Sequence, residues 1–180
     1  NIPEEVMAAT GRDVFRGSYV NDNKEYIKAA PKVRGLCDPK RSKLIGSIHE
    51  AIVKCGVRDG MTLSFHHHFR EGDYVLNTVM QEIHDMGIRD LTLCASSLGK
   101  ANDAILPFIE DGTITSIYSS GVRGKIGEAI SNGKLKNIAV MYSHGGRVRA
   151  IEEGRIHIDV AFIGAPTADE YGNLRAVGGK

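Results

Sequence analysis

Residues 61–71 read M-T-L-S-F-H-H-H-F-R-E, and the pattern changes partway through. Met61, Leu63 and Phe65 alternate with Thr62 and Ser64, the period of a half-buried strand, and Gly72-Asp73 then open an amphipathic stretch with helical spacing. Three histidines therefore fall where a strand hands over to a helix. In an α/β sheet, ligands lie outside the carboxyl ends of parallel strands, where backbone N–H groups and helix N-termini face a crevice. His66, His67 and His68 are expected to form the floor of a site and to carry its chemistry.

The same alternation recurs on both sides of this stretch. Before it, residues 1–41 carry Pro3, Pro31 and Pro39 with little periodicity and read as an N-terminal arm, with the domain proper over 42–180. Asp38-Pro39 has the form of a helix start, with Leu44, Ile45, Ile48, Ile52 and Cys55 as its core-facing stripe and Gly56 as its stop. After the histidines, Asp73 is placed to cap a helix with the stripe Leu76, Val79, Met80 and Ile83, closed by Gly87. Further strands are expected over 91–95, 114–118, 138–142 and 158–163. Between them fall a short helix capped by Asn102 and kinked or shortened by Pro107, a helix over 122–131, and a short one ending near Glu153. Five strands alternating with helices predict an α/β fold, a mostly parallel sheet with helices on both faces.

Four of the strands run into small or polar clusters. These are Ser64 with the histidines, Ser96-Ser97-Leu98-Gly99, Ser119-Ser120-Gly121, and Ser143-His144-Gly145-Gly146. In a parallel sheet they converge on one edge, where serine hydroxyls and glycine-freed N–H groups suit phosphate or carboxylate oxygens. The plainer reading of any one cluster is a helix cap. Arg123 and Arg147 each follow such a cluster at a helix start, where a guanidinium can hold a carboxylate in bidentate fashion or simply be solvated. Along the strand end, His66 and His68 share one face and His67 takes the other. No Asp, Glu or Cys stands at a convincing companion spacing, so no metal is expected.

Bulk properties narrow the class. With 180 residues, 42% hydrophobic, the chain can bury one core. Lys and Arg number 23 against 22 Asp and Glu, a formal charge of +1, so no general field invites nucleic acid or an anionic membrane. Cys37, Cys55 and Cys94 lack a C-x-x-C spacing, which favours reduced cytosolic thiols over a disulfide framework. No run approaches 18 apolar residues, and a soluble cytoplasmic protein is expected. The first residue is Asn1 and the last three are Gly178-Gly179-Lys180, from which a longer parent protein is expected.

Three segments together resemble a known family. G-M-T-L-S-F-H-H-H-F-R-E-G-D over 60–73, I-R-D-L-T-L over 88–93 and G-A-P-T-A-D-E-Y-G-N over 164–173 are similar to the coenzyme A transferases. The triple histidine and S-H-G-G-R over 143–147 narrow the resemblance to the citrate lyase α-chain family, across nearly the whole length. The resemblance implies the first of two related domains, the second lying outside this sequence together with the glutamate that ordinary coenzyme A transferases use. It implies an acyl exchange on citrate and an acetyl thioester. The thiol belongs to a coenzyme A-like prosthetic group carried by an acyl-carrier subunit, so no cofactor is bound in this chain. A lyase subunit then cleaves the citryl thioester, and the whole is a multisubunit oligomer.

By the same resemblance Asp169, Glu170, Gly172 and Asn173, which alone read as a turn, shape the rim of the site. The resemblance also leaves open another coenzyme A transferase acting on a small carboxylic acid, and two other functions suit the layout. A related sugar-phosphate isomerase would need Glu71 or Asp73 as its base, and a ligand-sensing domain would bind without turnover.

Overall fold

The computed structural model describes residues 3–11, 41–66 and 74–175. Strands β1 (Thr62–His66), β2 (Leu91–Ala95), β3 (Ile114–Ser119), β4 (Ala139–Met141) and β5 (Val160–Ile163) form one sheet in the order β4-β3-β2-β1-β5. Every pairing in it is parallel. A short antiparallel hairpin, β6 (Thr167–Ala168) with β7 (Leu174–Arg175), follows β5. The helices are α1 (Glu4–Thr10), α2 (Ile48–Lys54), α3 (Val75–Asp85), α4 (Leu106–Glu110), α5 (Gly124–Ser131) and α6 (His144–Glu152). None of the described helices is long and apolar enough to cross a membrane.

Alternation divides the sheet into two unequal faces. Leu63, Phe65, Leu91, Leu93, Ala95 and Ile117 point to the main core, where they meet Ile52 of α2, Leu76, Val79, Met80 and Ile83 of α3, Ile109 of α4 and Ile126 of α5. Phe65 also stacks on Phe162 across β1 and β5, with ring centroids 5.4 Å apart. The opposite face is covered by α6, through Ala150 packed with Cys94, Tyr118, Tyr142 and Ile156. Helices thus lie on both faces, as the strand–helix alternation predicts, but among the described residues one face is thickly covered and the other thinly.

The first helix of the domain differs from its expected form. Asp38-Pro39 lies outside the described residues, and Leu44 and Ile45 precede the helix, 66% and 43% exposed. Ser47 starts it instead: its Oγ accepts the Glu50 N–H at 3.1 Å, while the Glu50 carboxylate accepts the Gly46 N–H at 2.8 Å. This is a variant of the capping box, with Glu50 reaching the residue before the N-cap, which the S-x-x-E spacing encodes and a local Asp-Pro signal obscures. Cys55 is the C-cap and is exposed rather than core-facing.

Two further starts shift. Asn102 sits inside a 3-10 helix, Lys100–Ile105, and its side chain reaches back to the Gly99 N–H at 3.1 Å. Pro107 falls in the first turn of α4, where no N–H is needed, and the α-helix here is short, five residues from Leu106 to Glu110. The helix expected from Val122 begins at Gly124, because Val122 makes a parallel bridge with Leu98 and prolongs the sheet. Asp73 is outside the described residues, and the N-cap residue of α3 is Tyr74, with no side-chain cap bond.

Candidate active site

Because all five strands are parallel, their carboxyl ends share one rim. Backbone bonds tie the ends together: Ser96 N–H donates to the Phe65 carbonyl (3.1 Å), Ser120 N–H to Ser96 (3.3 Å) and Tyr142 N–H to Ser119 (2.8 Å). His66 is the last residue of β1, exposed, opposite Ile163 of β5. With Ser97, Asn102, Phe65, Val75, Leu76 and Phe162 it lines a narrow pocket. His67 and His68 lie outside the described residues, as do Glu71 and Asp73.

The clusters brought to this rim divide into two kinds. Ser119 is fully buried and donates its hydroxyl to the Gly121 carbonyl at 3.0 Å; Ser120 Oγ donates to the Ser96 carbonyl. Both hydroxyls therefore hold the loop between β3 and α5. At the start of α5, the Asp103 carboxylate already accepts the Lys125 N–H at 3.0 Å, so the protein supplies its own anion to that helix end. Arg123, the N-cap residue, is exposed beside it. Sequence reasoning does not single out Asp103, since a cap is sought next to its helix and this one is 22 residues away.

Gly124 is fixed by that arrangement. Its φ is +66°, and a Cβ there would stand 2.6 Å from Asp103 Oδ1. Gly124→Ala is expected to destabilise the protein by about 1 to 2 kcal/mol through the left-handed backbone, with displacement of the Asp103 cap in addition. Urea unfolding checks this.

The second kind of cluster lies on the thinly covered face. Ser143 Oγ accepts the Gly146 N–H at 3.0 Å and caps α6, leaving His144 and Gly145 exposed in its first turn. Gly146 allows this close approach: a Cβ there would meet Ser143 Oγ at 2.9 Å. One turn on, Arg147 extends across the sheet. Its Nη2 donates to Ser64 Oγ at 2.8 Å on β1 and to the Cys94 carbonyl at 3.3 Å on β2. Its Nε is buried and has no acceptor among the described residues.

Beside that guanidinium, burial pushes the Cys94 thiol above its ordinary pKa, and the Arg147 charge offsets this only in part. A buried neutral thiol is a poor nucleophile. Iodoacetamide is therefore expected to label exposed Cys55 in the native protein and Cys94 only after denaturation, as peptide mass mapping would read. Prompt native labelling of Cys94 would contradict it.

The segment after β5 is a tight turn at the hairpin tip. Asp169 Oδ1 accepts the Tyr171 and Asn173 N–H groups, each at 2.9 Å, and Oδ2 accepts the Asn173 amide at 2.7 Å. The Asn173 side-chain bond, then its backbone bond, hold the Asp169 carboxyl below the usual carboxylate range. Lys43, which carries no signal in the sequence, donates its Nζ to the Tyr171 carbonyl at 2.7 Å, and its N–H meets the Glu170 carbonyl. Gly172, at φ +84°, turns the chain over the Lys43 stem. Asp169 and Asn173 thus commit their polar atoms to the turn, and Glu170 is exposed.

Comparison with known proteins gives this rim a context. A family model described as citrate lyase, alpha subunit, matches residues 41–180. The citrate lyase alpha chain of Haemophilus influenzae is 46% identical over 172 residues, covering 95% of this chain and 34% of that protein. That of Klebsiella pneumoniae is 45% identical over 151 residues, covering 84% and 30%. A Streptococcus mutans structure, reported as the alpha subunit of citrate lyase in complex with citrate, superimposes with a TM-score of 0.82 at 48% identity. It is matched over 89% of this chain and 31% of that one. The chain spans about a third of the length of these relatives. On the match over 41–180, this chain belongs to the citrate lyase alpha subunit family.

Proposed function

We propose that this chain takes part in exchanging acetyl for citryl on a carrier-bound thioester, as part of the alpha component of a citrate lyase. A citrate carboxylate attacks the acetyl thioester, forming a mixed anhydride and releasing the carrier thiolate. That thiolate attacks the citryl carbonyl, acetate leaves, and the carrier now holds citryl. Each attack passes through a tetrahedral oxyanion, so the site must aim donors at that oxygen and offer positive potential to a tricarboxylate.

The observation that supports this reading is the gathering of His66, Ser97 and the first turn of α6 at one sheet rim, in a chain akin to a protein crystallised with citrate. His66, with His67 and His68 following it, is assigned to the oxyanion. The α6 N-terminus, with the His144 and Gly145 amides at its positive end, is assigned to a citrate carboxylate. Arg123 offers a second cation at the rim. The pantetheine-like arm belongs to an acyl-carrier subunit, and a lyase subunit consumes the citryl thioester. We place the assembly in the cytoplasm, in keeping with the free thiols of Cys55 and Cys94.

The test uses the complete protein with an acyl-carrier subunit bearing a labelled acetyl thioester. Adding citrate is expected to release labelled acetate and to raise the carrier mass by the citryl-for-acetyl difference. Acetate release no faster than without citrate would retire the proposal.

A further inference from the structure

The Arg147 guanidinium connects elements that the chain keeps far apart. Ser64 and Arg147 are 83 residues apart in sequence, yet their side chains meet at 2.8 Å. Ser64 stands two residues before His66 on β1, so its bond to Arg147 holds the strand end that carries His66. Arg147 stands three residues after His144, in the first turn of the same helix. A single side chain thus links the end of β1 that carries His66 to the helix end that carries the exposed His144 and Gly145 amides.

Among the described residues, little else holds that turn in place. The one buried residue of α6 is Ala150, a turn further on, while Val148 is 55% exposed. The crossover from β4 to β5 must span the sheet from one edge to the other, and α6 is the helix that makes it. A planar guanidinium is well suited to this position, because its Nη2 reaches acceptors on two neighbouring strands, Ser64 Oγ and the Cys94 carbonyl. Because a single nitrogen makes both bonds, a lysine ammonium could replace it in part, without the rigidity of the planar group.

We propose that Arg147 and Ser64 form a positioning pair, fixing the N-terminus of α6 against the His66 end of β1 without themselves touching substrate. This rests on the acyl-exchange reading of the rim. The pair acts through His66 and the α6 amides, and its loss misplaces two groups that must address one reacting carbonyl together.

The test compares Ser64→Ala, Arg147→Met, Arg147→Lys and the double variant Ser64→Ala/Arg147→Met in the complete protein with its acetylated carrier. Misplacement by about an ångström lowers kcat roughly 10- to 100-fold. That loss is expected for both Arg147→Met and Ser64→Ala, with any rise in the citrate KM from the displaced α6 amides staying well below ten-fold and alike in the two variants. The double variant should be no slower than Arg147→Met, and Arg147→Lys should recover part of kcat.

A citrate KM that rises ten-fold or more in Arg147→Met with kcat unchanged would make Arg147 a substrate contact and overturn the proposal. So would kcat losses that multiply in the double variant, or a lowered melting temperature with kcat and KM both unchanged below it. A wild-type protein that exchanges nothing would sink the acyl-exchange reading, and the positioning role with it. Melting shifts that fail to add across the two sites would still report the Ser64–Arg147 contact in that protein.

Discussion

In the complete protein, His66→Ala is expected to lower kcat by roughly 100-fold or more while leaving unfolding cooperative, the size of effect that follows loss of one aimed oxyanion donor. The physical basis is where the residue stands. His66 terminates β1, is exposed, and lines the pocket shared with Ser97 and Asn102, so removing its ring opens no core cavity. An imidazole N–H can donate to a developing charge. On sequence grounds the same loss is expected for His67→Ala and His68→Ala. A histidine with a purely structural role behaves otherwise: its removal costs on the order of 1 to 3 kcal/mol of stability with little change in turnover. Parallel measurement of kcat and thermal unfolding separates the two, and unchanged kcat with a lowered melting temperature would retire the catalytic role. Zinc that is stoichiometric in wild type and lost in His66→Ala would instead mark a metal site.

Much of this fold is legible in the sequence because its signals are local. The stripe Leu76, Val79, Met80 and Ile83 is buried as its spacing predicts, and Gly87 follows the helix with φ +77°. The strand at 91–95 is realised at its expected bounds. Gathering of the polar clusters at one edge follows from parallel topology alone. What sequence does not disclose is which hydroxyls are already engaged, since that depends on partners remote in the chain. Ser119 and Ser120 bond to loop carbonyls, and the α5 end is filled by Asp103. Ser64 and Arg147, each a candidate ligand by sequence, bond to each other. The start of α2 departs from its sequence signal for a different reason: Leu44 and Ile45 continue the helical spacing of Ile48 and Ile52, but the Ser47 cap stops the helix from extending back to them.

Leu93→Ala is expected to cost about 2 to 5 kcal/mol, the range for truncating a fully buried leucine. Leu93 lies on β2, the middle strand, in register between Leu63 of β1 and Ile117 of β3. All three are at most 1% exposed, and the surrounding side chains come from helices that also pack on one another. Neighbours held on both flanks by sheet hydrogen bonds cannot close over the lost atoms, so most of the cavity remains and the cost falls toward the upper part of the range. Leu44→Ala provides the contrast. At 66% exposure ahead of the Ser47 cap, its truncation is expected to stay within about 0.5 kcal/mol, whereas a core-facing Leu44 would cost several times that. Urea titration of both variants reads the difference in midpoint at unchanged slope. Because Leu93 points into the main core and away from the face that carries Ser64 and Arg147, Leu93→Ala should keep its kcat below the new melting temperature. A Leu93→Ala protein as stable as wild type would show that the core can repack around β2.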